Sequence, residues 1–133
     1  MKRTVLAILA AAALALPVCA QPPAAVGDVP FAFVAGTMTM PAGRYAVSFS
    51  SQVIVALVGS DRHTHFLTSN REETRPSSDM PELVFHRYGD QYFLSEIRTS
   101  DSGREIPMSR LEREAVKTAG AARAGQEVIL AMR

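Results

Sequence analysis

Hydrophobic residues in this 133-residue chain recur mostly at every second position, the period of a β-strand with one buried face. Tyr45, Val47 and Phe49 alternate with Arg44, Ala46 and Ser48, which predicts the clearest strand of the first half. Val29, Phe31 and Phe33 alternate with smaller residues and predict another. A short Thr37-Met38-Thr39-Met40 piece lies between Gly36 and the turn residues Pro41-Ala42-Gly43. Val53 to Val58 is an unbroken apolar run, fitting a strand with little solvent on either face. Gly59-Ser60-Asp61-Arg62 turns the chain, and His63 to Ser69 reads as the partner strand.

The densest strand-forming run is Glu82 to Arg98, split by Gly89-Asp90 into two arms, which predicts a β-hairpin. A two-residue turn sets Tyr88 opposite Gln91, Arg87 opposite Tyr92, His86 opposite Phe93 and Phe85 opposite Leu94, and leaves both faces mixed. A three-residue Gly89-Asp90-Gln91 loop shifts the pairing by one and gathers Leu83, Phe85, Phe93 and Ile97 on one face. That cleaner core favours the three-residue loop, since a slip of one residue exchanges the faces of an arm. In either register His86 and Arg87 point to opposite sides.

One stretch changes period. Ser109-Arg110-Leu111-Glu112 is a capping-box pattern, in which Ser109 accepts from the Glu112 backbone and the Glu112 side chain returns the bond. The helix it opens has Leu111, Ala115, Val116 and Ala119 on one side and is expected to stop near Gly120 after about three turns. Glu127 to Arg133 ends the chain as a strand that pairs with an earlier one and closes the sheet. Asn70 to Pro81, with two prolines and five charges, reads as a surface loop. Together these elements predict a mainly β fold: a small antiparallel β-barrel or sandwich of about seven strands, with one C-terminal helix before the last strand.

The first twenty residues follow another logic. Met1-Lys2-Arg3 is a positive n-region, Val5 to Leu16 an apolar h-region, and Val18 and Ala20 stand at −3 and −1. Residues 1–20 therefore read as a secretory signal peptide, cleaved before Gln21, and the run is too short for a comfortable membrane span. Cys19 is the single cysteine. Lipidation there would want a small residue in place of Val18, so ordinary cleavage is favoured over a lipoprotein anchor. Residues 21–28 (QPPAAVGD) read as a flexible N-terminal extension, and 29–133 as a single mainly β domain. Removing Lys2 and Arg3 from the 14 basic residues leaves 12 against 13 acidic, a formal charge of −1. No basic stripe remains, which argues against nucleic acid as a partner, and no transmembrane segment is expected in the mature chain.

Candidate chemistry is sparse. His63, His65 and His86 are the only histidines, and the first two share a strand face, so a zinc-like set would need His86 beside them. No cofactor is expected. There is no Gly-x-Ser-x-Gly elbow, and Glu72, Glu73 and Glu96 have no second acid or base tied to them by spacing. Tyr45, Phe85, Tyr88, Tyr92 and Phe93 read first as core and cross-strand pairs, and second as the lining of a pocket for an apolar or planar ligand.

Val29-Pro30-Phe31-Ala32-Phe33, Met40 to Val47, Leu83 to Leu94 (LVFHRYGDQYFL) and Gly103 to Ser109 carry a resemblance. Over these segments the chain resembles an uncharacterised family of small secreted proteins from Gram-negative soil bacteria. The resemblance implies a secreted single domain and brings no activity, ligand or catalytic residue. The combined expectation is an exported, periplasmic or extracellular, non-enzymatic binding or envelope-associated module. The alternatives are a carrier of a small apolar ligand, with Phe31, Tyr45, Phe85 and Phe93 lining a barrel interior, and a His-dependent metalloenzyme.

Overall fold

A computed structural model describes residues 22–72, 79–120 and 125–133. The expected leader, residues 1–20, lies outside them, as do Glu73 and the rest of 73–78. In chain order the elements are β1 (Ala25–Val29), β2 (Phe33–Ala35), β3 (Met38–Met40), β4 (Gly43–Phe49), β5 (Ile54–Gly59), β6 (Thr64–Thr68), β7 (Asn70–Glu72), β8 (Glu82–Tyr88), β9 (Gln91–Arg98), β10 (Gly103–Glu105), α1 (Arg110–Ala119) and β11 (Gln126–Ala131). The fold is mainly β, with the helix directly before the last strand. Among the described residues, none of the helices is long and apolar enough to cross a membrane.

The strands form two sheets curled into a half-barrel. One is antiparallel with order β1-β4-β5-β6. The other runs β11-β8-β9-β10-β7, with the β2–β3 hairpin attached to β9 by a parallel pairing at Val34 and Phe93. The sheets meet where the chain ends: Val26 and Arg133 exchange main-chain bonds of 2.8 and 2.9 Å. At the other side β6 passes into β7 through the buried Ser69. Phe33, Val47, Val55, Leu57, Leu83, Phe85, Ile97 and Met132 fill the space between the sheets, each essentially out of solvent. Each such side chain contributes roughly 1.5–3 kcal/mol relative to exposure.

The strand count exceeds the expected seven or so because four strands have three residues each, too short to show a period of two. Residues 25–28 belong to β1, paired with β4 from Ala25↔Val47 to Val29↔Gly43, and not to a flexible extension. The Pro- and Ala-rich run that leads into it hid a strand held by its ladder and by Ala25 and Val29 in the core. The expected 29–33 strand is interrupted: Phe31 sits between β1 and β2, half-buried. Asn70–Glu72, expected in the surface loop, pairs with β10 instead.

The central hairpin corrects the favoured register. Its turn has two residues, with Gly89 at φ 62, and its tip pairs Tyr88↔Gln91, Arg87↔Tyr92, His86↔Phe93 and Phe85↔Leu94. A bulge follows: Val84 pairs with Glu96, leaving Ser95 as the extra residue, and Leu83 pairs with Ile97. Ser95 is held by its own hydroxyl donating to Val84 O (3.1 Å) and by Ile106 N donating to its carbonyl (2.8 Å). Each candidate register thus holds in one half of the hairpin. Leu83, Phe85, Leu94 and Ile97 share the face toward the second sheet, whereas Phe93 turns the other way and packs with Tyr88 and Ala115 of α1. The faces look mixed because both are covered, one by the opposing sheet and one by the helix.

Candidate functional site

The region with the most chemistry lies where α1 crosses the outer face of the β8–β9 hairpin. His86 and Tyr88 are two apart on β8 and therefore point to the same side, toward the helix. Ser109 caps α1 by accepting from Glu112 N (3.2 Å). Glu112 sits in the first helical turn, where the helix dipole favours an anion. The expected capping box is only half made. The Glu112 carboxylate turns inward, where Oε1 accepts the Tyr88 hydroxyl (3.2 Å) and lies 3.1 Å from His86 Nδ1. Its side chain is 5% exposed against 36% for His86, so the pair spans the boundary between core and solvent. The Tyr88 hydroxyl is pushed above its ordinary pKa by burial first, and then by the charge and hydrogen bond of Glu112.

Two recesses flank this cluster. A cavity of about 170 Å³ lies beside Glu112 and is lined by His86, Ser95, Glu96, Glu105, Ile106 and Met108. A larger groove, about 690 Å³, runs between α1 and the hairpin tip, lined by Tyr88, Phe93, Asp90, Gln91, Leu111 and Glu114 among others. The expected apolar side of the helix is only partly used. Ala115 is buried, but Leu111 and Val116 are 43% and 38% exposed, because Glu112 occupies the position nearest β8.

The five aromatic candidates separate into two groups. Tyr45, Phe85 and Tyr92 belong to the ring cluster of the main core. Phe85 meets Phe31 and Phe33 edge-on at 5.1 and 5.2 Å, Tyr92 stacks on Phe31 at 3.8 Å, and the Tyr45 hydroxyl donates to Pro41 O. Burial, followed by the nearby Asp61, raises the Tyr45 pKa. Tyr88 and Phe93, 5.8 Å apart, face the helix and line the groove. The carrier hypothesis placed Phe93 with Phe31, Tyr45 and Phe85 inside a barrel. Phe93 lies instead beneath α1, and the interior is occupied by side chains.

The histidines are likewise divided. His63 lies just before β6 and His65 within it, His63 exposed with its main-chain N–H donating to Asp61 Oδ1 (3.0 Å). His86 lies in the other sheet, against Glu112. No group of three or more His, Cys, Asp or Glu that fits a metal ion occurs among the described residues. The Glu112 partnership escaped sequence reasoning because 26 positions separate it from His86 and the capping-box motif claimed its carboxylate for another role.

Beyond the bulge, Arg98 gathers Glu96 (2.9 Å), Glu82 (3.8 Å) and Glu127 (3.9 Å), tying β8, β9 and β11 across the sheet. The hydrogen bond that Arg98 donates to Glu96 leads the causes that raise the Arg98 pKa. Comparison with protein-family models, curated proteins and solved structures found no match to this chain.

Proposed function

We propose that this protein is an exported, non-enzymatic binding module, periplasmic or extracellular, that meets an envelope polypeptide on the outside of the half-barrel. The observation that carries the reading is the contrast between inside and outside. The space between the sheets is filled by Phe33, Leu57, Leu83, Phe85 and Ile97, while open recesses lie against α1 and the strand rims. The leader pattern of residues 1–20 supports export. The polar cluster beneath α1, Glu112 with His86 and Tyr88, holds the helix to the hairpin, and the adjoining Ser95 hydroxyl is engaged by Val84 O.

A second reading has one specific support. The 690 Å³ groove beneath α1 falls within the usual size of small-molecule sites and brings Tyr88 and Phe93 together with Leu111. On that reading the protein carries a small apolar ligand outside the barrel. Native mass spectrometry of protein purified from the periplasm separates the two. The module reading expects a polypeptide beginning at Gln21 with no stoichiometric small molecule. A stoichiometric apolar compound released by Leu111→Lys overturns it in favour of the carrier.

A further inference from the structure

We propose that β6 is a docking edge for an extended, uncharged strand of another polypeptide, which adds to the sheet through its main chain in the recess between β6 and the β2–β3 turn. The inference rests on the binding-module reading and names the partner's class.

Among the described residues β6 has a single neighbour, β5. Gly59 N donates to His63 O (3.4 Å) and Ser69 N to Val53 O (2.8 Å), so the odd-numbered residues along this strand bond to the β5 side. In an antiparallel ladder the intervening residues then point their N–H and C=O groups the other way. Thr64, Phe66 and Thr68 therefore present main-chain donors and acceptors along the open rim. The opposite rim of the same sheet is treated differently: Val26 of β1 is covered by this chain's own Arg133.

Exposed edges are ordinarily blunted by charge, proline or a bulge. The β6 sequence, Thr-His-Phe-Leu-Thr, has no acidic residue, lysine, arginine or proline. A recess of about 310 Å³ adjoins it, lined by the consecutive residues Phe66, Leu67 and Thr68. Consecutive strand residues point to opposite faces, so a recess touching all three meets the strand along its backbone edge. Gly36, which lies against the Leu67 side chain, and Met38 form its wall on the β2–β3 side, and the segment Ile106 to Ser109 completes the lining.

No charged residue lines the recess, which selects an uncharged segment. Phe66 and Met108, 63% and 45% exposed, offer apolar surface to alternate side chains of the incoming strand. Main-chain pairing supplies affinity in such complexes, and the alternate side chains supply choice. A second copy fits less well, because its own β6 would bring β5 with it against the wall formed by Gly36 and Met38.

The test selects binders from a random-decapeptide display library on mature protein and measures them by fluorescence anisotropy. Proline-free peptides of alternating apolar character are expected. N-methylation of one central peptide bond is expected to weaken them about tenfold or more, as loss of a buried hydrogen bond implies. Phe66→Pro removes one outward N–H and spares the β5 ladder, so it is expected to weaken them equally, while Phe66→Leu stays within about threefold. If Phe66→Pro does not fold, the N-methyl peptides decide alone. Peptides indifferent to both changes but lost in Leu111→Lys overturn the β6 edge and leave the binding module standing. No enriched peptide, together with a stoichiometric small molecule in native mass spectrometry, overturns both. Self-association of the wild type that Phe66→Pro abolishes would make the partner a second copy and overturn the proposal as stated.

Discussion

Glu112→Ala tests whether the helix is held to the hairpin by a buried carboxylate. The substitution removes the acceptor shared by the Tyr88 hydroxyl and His86 Nδ1, at 3.2 and 3.1 Å, from a side chain only 5% exposed. A hydrogen bond to a charged group contributes about 1.5–3 kcal/mol, and the truncated site leaves a buried hydroxyl unpaired. Water entering from the adjoining 170 Å³ cavity offsets part of this. The net cost is about 2–4 kcal/mol, a fall in Tm of roughly 10–20 °C for a domain of this size. Glu114→Ala is the matched control, since it makes the same chemical change two residues along the same helix. Glu114 pairs with Arg110 at 3.0 Å, but their side chains are 55% and 85% exposed. Such an i,i+4 pair is worth about 0.5 kcal/mol or less, and its loss shifts Tm by under about 4 °C. Thermal unfolding of the two variants by circular dichroism makes the comparison. Equal melting temperatures would refute the claim that Glu112 fastens α1 to β8.

Three further predictions concern the backbone and pH. Gly89 and Arg62 have similar positive φ angles, 62 and 64, so Gly89→Val is expected to lower Tm and Arg62→Gly to raise it by a few degrees, since left-handed backbone costs a side-chain-bearing residue about 1–2 kcal/mol. Gly125→Ala places a Cβ 2.6 Å from the Tyr88 ring, so it is expected to be destabilising and to change Tyr88 fluorescence, whereas Gly120→Ala is strained only by its φ of 74, meets nothing within 4 Å and leaves that fluorescence unchanged. Folded Tyr88 and Tyr45 both hold their protons more tightly than the ordinary value of 10.0. Their contribution is therefore present below that pH and lost as pH rises through the raised folded values. Urea midpoints above pH 10.0 are expected to fall less steeply in Tyr88→Phe than in the wild type.

The strands with strict alternation were legible from residue pattern, because β4 buries Tyr45 and Val47 on one side only. The apolar run of β5 and the hairpin turn at Gly89-Asp90 were legible for the same local reasons. The hairpin register was not. Choosing the pairing that gave one clean apolar face assumed one buried face, and the hairpin has two. The Ser95 bulge that reconciles both pairings leaves no mark in composition. Strands β2, β3, β7 and β10 were hidden by their brevity, and β1 by the Pro- and Ala-rich run that leads into it. The site was less legible still: Tyr88 and Phe93 were recognised as candidates, but grouped with Tyr45, Phe85 and Tyr92 on the far side of the sheet. Glu112 and the rim of β6 depend on contacts distant in sequence, which local pattern does not encode.

Nuclear Overhauser contacts from Phe85 and Phe93 test most directly whether the hairpin is covered on both faces. Such a hairpin has the Phe85 ring in contact with Phe33 and Phe31 and the Phe93 ring in contact with the Ala115 methyl and Tyr88. Phe85 and Phe93 contacting each other and the same core residues, with no contact from Phe93 to the helix, would contradict it.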